Sequence, residues 1–223
     1  MNLLWIGLKA RWFFFFEYCK AVWKYYRNFS FAKVDLLLVF SYLFRNPFKI
    51  SQHFLKERGE EDIYAYGETP LTTLEEICEQ CAITEKDFVY ELGCGRGRTC
   101  FWLNQWLGCR VVGVDYVPDF INRAKTLVKS CQLEEIEFRL EDIAETQFNG
   151  VTVIYLFGTC LDEETIRQLI HNLAHLEPGV KIISISYPLT DFDDKKILEF
   201  HRQFKGKFSW GEADIYLQVV RSR

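Results

Sequence analysis

VYELGCGRGRTCFWL, residues 89–103, is an apolar run that breaks into glycines at every second position, Gly93, Gly95 and Gly97, before resuming. A strand that feeds a helix through such a loop leaves its backbone open to close approach, because no Cβ stands in the way. The loop falls at the carboxyl end of a strand, where open α/β sheets bind ligands. Its spacing, G-C-G-R-G, is one residue shorter than the G-x-G-x-x-G that seats a pyrophosphate on a helix N-terminus. An acid, Glu91, stands two residues before the first glycine. That carboxylate repels a pyrophosphate and attracts a cation.

Outward from this stretch the chain alternates. Helices are expected over residues 72–81 (Thr72 or Thr73 as N-cap), 99–107, 118–131 and 163–176, and around 194–204. Strands are expected over 88–92, 110–114, 136–140, 151–157 and 180–186. Two further runs, 206–210 and 215–220, read as a terminal hairpin joined through Gly-Glu-Ala-Asp. The fold class is therefore α/β: a Rossmann-like, doubly wound, mainly parallel sheet with a C-terminal antiparallel strand. Asp115 ends the second strand, eighteen residues after Gly97, the distance at which an acid accepts from ribose hydroxyls. Asp142 follows the third strand, where it can accept from an exocyclic amine while Ile143 packs on a purine face. Ribose, purine and a positive centre together describe S-adenosyl-L-methionine.

ELGCGRG, then VVGVDY, then RLEDI resembles the class I, seven-strand methyltransferases from about Tyr64 onward. The resemblance implies Glu91, Gly93 and Gly95 near the methionine part, Asp115 with Tyr116 at the ribose, and Asp142 and Ile143 near the adenine. An NAD-binding relative, or a fold that has lost its ligand, is the alternative. AYGETPL, residues 65–71, is similar to a segment of the non-SET histone-lysine methyltransferases that helps close over the cofactor, which implicates Tyr66, Glu68 and Thr69; a plain turn before a helix is the other reading. Residues 151–189 are similar to those enzymes, and closer to small protein-lysine methyltransferases that act on membrane-embedded partners. The fourth strand ends in YLFGT, without the Asn/Asp-Pro-Pro-Tyr/Phe of amide and adenine methyltransferases.

Composition bounds the rest. The 223 residues are 49% hydrophobic, enough for one substantial core. Residues 1–56 hold nine Lys/Arg and two acids, a net of +7, which leaves −11 on the remainder of a chain whose total is −4. This basic arm, residues 1–50, precedes a body over 51–223. ARWFFFFEYCKAVWKYYRNFSF places aromatics between cations, and VDLLLVFSYLF is largely apolar over eleven residues, ended by Asn46-Pro47. Neither provides the roughly 20 uncharged apolar residues a membrane span needs. Two helices lying on a membrane surface or a partner are expected, with packing against the body as the alternative. The acidic remainder argues against nucleic acid. No secretory pattern is visible, and a reducing, cytoplasmic compartment with peripheral membrane contact through residues 1–46 is the reading. Of eight cysteines only Cys78 and Cys81 have C-x-x-C spacing, and that pair reads as packing on a helix. His171 and His175, four apart, read as surface, so no metal is expected.

Methyl transfer to a lysine amine needs an in-line approach and a deprotonated nucleophile. Desolvation in an aromatic slot lowers an amine's pKa. Phe157 and Tyr187 are the candidate walls of that slot, and no general base is evident. Three readings stand: a protein-lysine methyltransferase at or near a membrane, a small-molecule or lipid methyltransferase, and a non-catalytic S-adenosylmethionine-binding scaffold.

Overall fold

The computed structural model describes residues 3–60, 62–64, 66–158 and 161–222, with side chains from residue 12 onward. Ala65 of the AYGETPL segment, Thr159 of YLFGT and Cys160 lie outside the described residues. Helices α1 (Leu3–Tyr25), α2 (Phe29–Ser41) and α3 (Pro47–Arg58) precede α4 (Leu71–Gln80). Then come β1 (Phe88–Leu92), α5 (Arg98–Trp102), β2 (Arg110–Asp115), α6 (Pro118–Cys131), β3 (Ile136–Leu140), β4 (Val153–Leu156), α7 (Glu163–Leu173) and β5 (Lys181–Ile185). Strands β6 (Leu198–Phe208) and β7 (Gly211–Val220) close the chain.

The seven strands form one sheet in the order β3-β2-β1-β4-β5-β7-β6. Neighbours from β3 to β5 pair in parallel, and β7 runs antiparallel to both β5 and β6. This is the doubly wound sheet expected from the alternating elements. Every residue of β1 and of β4 is buried, because helices cover both faces. Right-handed crossovers place α5 and α6 on one face while the strand order runs outward from β1. When it restarts at β4, the same handedness sends α7 to the other face. Two cores result: Phe101, Phe120 and Phe138 belong to one, Tyr90, Leu156 and Leu169 to the other. The reversal between β1 and β4 is the switch point at which such sheets open a crevice.

The arm divides differently from expectation. Asn46-Pro47 does not end the second helix; α2 stops at Ser41, and Asn46 caps α3 by accepting from Phe48 N at 2.9 Å, with Pro47 in the first turn. A proline in the first helical turn has no N–H to lose, so the same dipeptide starts a helix as readily as it stops one. α3 runs through residue 50, where the sequence reading divides arm from body. One face of the arm packs inward. Tyr25 and Phe31 are fully buried, with the Tyr25 ring 5.5 Å from Trp102 and 5.0 Å from Trp106. Asp35 of α2, also fully buried, accepts two bonds from Arg98 at 2.7 and 2.8 Å.

Four further expectations are corrected. Residues 194–204 are not helical: most lie in β6, whose ladder with β7 runs from Leu198 to Phe208. Glu199, Phe200, His201, Arg202 and Gln203 are exposed on this edge strand, so it lacks the alternation that marks a half-buried strand. The hairpin turns at Ser209-Trp210, before the Gly-Glu-Ala-Asp run, which belongs to β7. Neither Thr72 nor Thr73 caps α4: the helix starts at Leu71, and the two hydroxyls donate to Glu17 and to the Lys207 carbonyl. At its far end α7 stops at Leu173, three residues early.

Candidate functional site

The strand ends are held level. Leu92 pairs with Val114 on one side and Leu156 on the other, and Gly93 N and Cys94 N both donate to Val114 O, at 2.9 and 3.0 Å. The chain then turns through left-handed backbone, φ 78° at Gly93 and 53° at Gly95. Space is short as well: a Cβ on Gly93 would sit 2.9 Å from the Phe157 carbonyl oxygen, and one on Gly95 would sit 2.9 Å from the Tyr66 ring. Glycine is therefore required at both positions for conformation and for room.

Asp115 fastens this loop. Its Oδ2 accepts from Gly95 N at 2.8 Å and its Oδ1 from Val117 N at 2.9 Å, tying the first strand's loop to the second's. Each carboxylate oxygen keeps a further lone pair. Burial pushes the carboxyl up to about 6, against the lowering effect of those backbone donors. Glu91, 3% exposed, accepts from the Thr99 hydroxyl at 2.5 Å and from the Cys100 thiol at 3.0 Å. Burial pushes it further, to about 7, the two donors oppose this, and the nearby Asp115 charge adds to it. Both groups gain from a cation placed between the strand tips.

A cavity of about 310 Å³ opens at these tips. Gly93, Gly95, Asp115, Tyr116, Asp142 and Ile143 line it, as does Phe157. Asp142 heads an Asx-type turn, accepting from Ala144 N at 2.9 Å, which presents Ile143 beside it. Tyr66 joins the wall; its ring lies 5.2 Å from Phe120 and its hydroxyl donates to Glu68 at 2.5 Å. A second, small pocket of about 20 Å³ shares Gly67, Gly93 and Phe157 with the main cavity's lining and reaches Glu68, Thr69 and Glu91. Burial alone would raise the Glu68 carboxyl, but the Arg96 guanidinium 2.7 Å away holds it below its ordinary value. The Thr69 hydroxyl bonds that of Tyr155 at 2.5 Å. The structure thus gathers eleven of the twelve residues singled out from sequence around two pockets that share Gly67, Gly93 and Phe157.

Tyr187 is the exception. It lines neither cavity; its hydroxyl donates to the Gly158 carbonyl and its ring packs 5.8 Å from Phe192. Ser186, at φ 76°, turns the chain sharply between β5 and this residue. The rings beside Phe157 come instead from the hairpin: Trp210 at 5.9 Å and Phe208 at 6.3 Å, stacked on each other at 4.8 Å. Gly67 fits against Phe157 and Trp210 so closely that a Cβ would meet them at 3.0 and 3.1 Å. Sequence reasoning missed Trp210, and it missed α3, which contributes Ser51, Leu55 and Arg58 to the cavity. Their i, i+4, i+7 spacing puts them on one helix face, a signal that was present but unattached to any motif. Cys78 and Cys81 are buried in the core, as the packing reading has them, and His171 on α7 meets His175, just past the helix end, edge to face at 5.7 Å, neither lining the cavity.

With this geometry in view, likeness to known proteins can be placed. Residues 89–179 match the family model described as a methyltransferase domain. An RNA methyltransferase from Salinibacter ruber, solved with S-adenosyl-L-homocysteine, superposes with a TM-score of 0.57 at 23% identity, over 70% of this chain and 95% of that one. The fold is that of the class I methyltransferases. Among curated proteins, the histone-lysine N-methyltransferase, H3 lysine-79 specific, of Dictyostelium discoideum is 25% identical over 197 residues, 76% of this chain and 10% of its own length. Trans-aconitate 2-methyltransferase of Escherichia coli is 31% identical over 88 residues, 39% of this chain and 30% of its own. The chain thus spans less than a third of either curated relative. The match to the methyltransferase-domain model begins in β1 and ends just before β5, so α1–α3 and the β6–β7 hairpin lie outside it.

Proposed function

We propose that this protein transfers a methyl group from S-adenosyl-L-methionine to the amine of a protein lysine. The observation that carries the cofactor is the placement of three acids at the tips of three adjacent strands: Glu91 near the end of β1, Asp115 ending β2 and Asp142 after β3, the last two lining the main cavity and Glu91 the small pocket that shares Gly93 with it. A pyrophosphate has no free counter-charge there, since Arg96 is held by Glu68, Arg98 by Asp35 and the cavity-lining Arg58 by Glu60. A cationic nucleoside does. When bound, S-adenosylmethionine supplies an electrophilic methyl group on a sulfonium. Asp115 has lone pairs left for ribose hydroxyls, Asp142 and Ile143 provide an acceptor and an apolar face for a base, and Glu91 faces the positive end.

For the acceptor, support comes from the Phe157 ring that lines the cavity, with Phe208 and Trp210 packed beside it, and from the 197-residue likeness to a histone-lysine enzyme. Such aromatic surface strips water from an incoming ammonium and lowers its pKa, while the ring faces still attract it. Positioning then does the remaining work. A small organic acid is the second reading, favoured by the likeness to trans-aconitate 2-methyltransferase. Incubation with methyl-labelled S-adenosylmethionine and a cell extract separates them. Alkali-stable label in a protein band, recovered as methyl-lysine, is expected. Alkali-labile label in small molecules supports the acid, because transfer to a carboxylate makes an ester. Cofactor binding with no transfer to any fraction would refute the enzyme.

A further inference from the structure

The N-terminal helices have a second face that the fold leaves uncovered. On α2 the buried residues Phe31, Val34, Asp35 and Leu38 look inward, whereas Phe29, Lys33, Leu36, Leu37 and Phe40, spaced at helical period, are exposed. Phe29 is 87% exposed and Phe40 64%. The chain continues this face past the helix end with Leu43 and with Phe44, 95% exposed. On α1 the exposed residues Trp12, Phe15, Phe16, Lys20 and Trp23 form a comparable stripe. Phe15, Leu43, Phe44 and Phe48 share one groove, so the two stripes join. Apolar surface of this extent on a folded domain marks a contact site.

Charge says which contact. Between residues 12 and 49 every exposed charged side chain is a cation: Lys20, Lys24, Arg27, Lys33, Arg45 and Lys49. The two acids of this span are withdrawn, Asp35 into its pair with Arg98 and Glu17 into bonds with Lys20 and Thr72. Arg27, Lys33 and Lys49 form no ion pair among the described residues, and Arg27 lies 5.9 Å from the Trp23 ring centre. A second copy of the chain laid on this face would set cation against cation. Nucleic acid would leave Leu36, Leu37 and Leu43 without apolar partners. An anionic bilayer answers both features: the headgroup layer accepts aromatic rings beside cations, and the acyl boundary accepts the leucines. No helix among the described residues is long and apolar enough to cross a membrane, so the contact is lateral.

We infer that the outer face of α1, α2 and the α2–α3 connection docks on an anionic lipid surface, with the aromatic and leucine side chains inserted at the headgroup level and the cations on the phosphates. Because α3 and Arg98 are part of the same packing, the cofactor cavity is carried close to that surface.

The test is sedimentation of the full chain with vesicles of phosphatidylcholine alone or containing phosphatidylglycerol. Wild-type protein is expected to pellet with the anionic vesicles, to be released by salt, and to stay in solution with pure phosphatidylcholine. Phe40→Ser combined with Phe44→Ser should weaken binding more than tenfold, and Lys33→Glu about fivefold or more. Both variants should keep the wild-type thermal transition and the wild-type affinity for S-adenosylhomocysteine, since none of the three residues borders the cavity. Wild-type protein left in the supernatant, or the double variant pelleting like wild type, overturns the inference. So does a dimer in solution that the double variant loses without any vesicle binding, which would assign the face to a second copy. The readout does not depend on methyl transfer, so its failure and that of the proposed activity are separable.

Discussion

Asp115 and Asp35 are both buried carboxylates, 6% and 0% exposed, the first bonded to the glycine loop and the second to the helix that follows it. Asp35 is consumed by its partner: the Arg98 guanidinium takes both oxygens, so the pair neutralises itself and ties α2 to the first turn of α5. Asp115 takes one backbone N–H on each oxygen, has no ion pair among the described residues, and lines the cavity with its pKa raised to about 6 by burial. A buried charge that is fully paired is structural. One that is anchored yet uncompensated is held ready for a ligand, and the contrast separates the arm's inner face from the strand tips although the two are adjacent.

That contrast can be broken at several points. The largest expected effect is on stability: Asp35→Ala leaves Arg98 buried and unpaired and should cost about 3–5 kcal/mol, read from urea unfolding of the full chain. A loss under 1 kcal/mol would mean that water reaches Arg98 and the pair is not structural. Next comes Asp115→Ala, which removes the ligand-facing acceptor and the anchor of Gly95; S-adenosylhomocysteine affinity should fall about 100-fold, the loss of one or two bonds to a charged group, by calorimetric titration. Unchanged affinity would mean that Asp115 only fastens the loop.

The pH dependence is smaller and its sign follows from the raised carboxyls. In the free protein Glu91 titrates at about 7 and Asp115 at about 6. A cationic ligand favours their ionised forms, so binding releases protons and affinity for S-adenosylmethionine rises with pH through this window, by about tenfold from pH 6 to 8. An affinity that falls with rising pH would contradict a cation between these carboxylates. The smallest effect is Trp210→Ala. It should raise the acceptor KM about fivefold through the lost ring face and leave cofactor affinity unchanged. A fall in cofactor affinity instead would place Trp210 over the nucleoside.

How much was legible follows from which forces act locally. ELGCGRG carries the strand, the loop and the ligand's charge together, because each glycine answers a local backbone demand, a left-handed φ of 78° at Gly93 and 53° at Gly95, while the steric demand of Phe157 on Gly93 comes from far along the chain. Asp115 and Asp142 were legible from position alone, as residues ending or following strands in a parallel sheet. The hairpin was half legible. Residues 194–204 read as helix because an edge strand solvated along Glu199 to Gln203 carries no period of two, and only its ladder with β7 decides it. Trp210 was invisible for the same reason: its place beside Phe157 depends on a hairpin turn brought across the sheet. The arm's composition announced aromatics and cations but not their sorting into an inner and an outer face. That sorting is set by where Tyr25, Phe31 and Asp35 meet α4 and α5, contacts between residues far apart in the chain.

The central claim is that the strand-tip cavity holds a sulfonium nucleoside rather than a dinucleotide. Calorimetric titration of the wild-type protein at pH 8 with S-adenosylmethionine and, separately, with NAD tests it most directly. One site saturating with S-adenosylmethionine, and no heat with NAD, is the predicted result. Saturable binding of NAD with none of S-adenosylmethionine would contradict it.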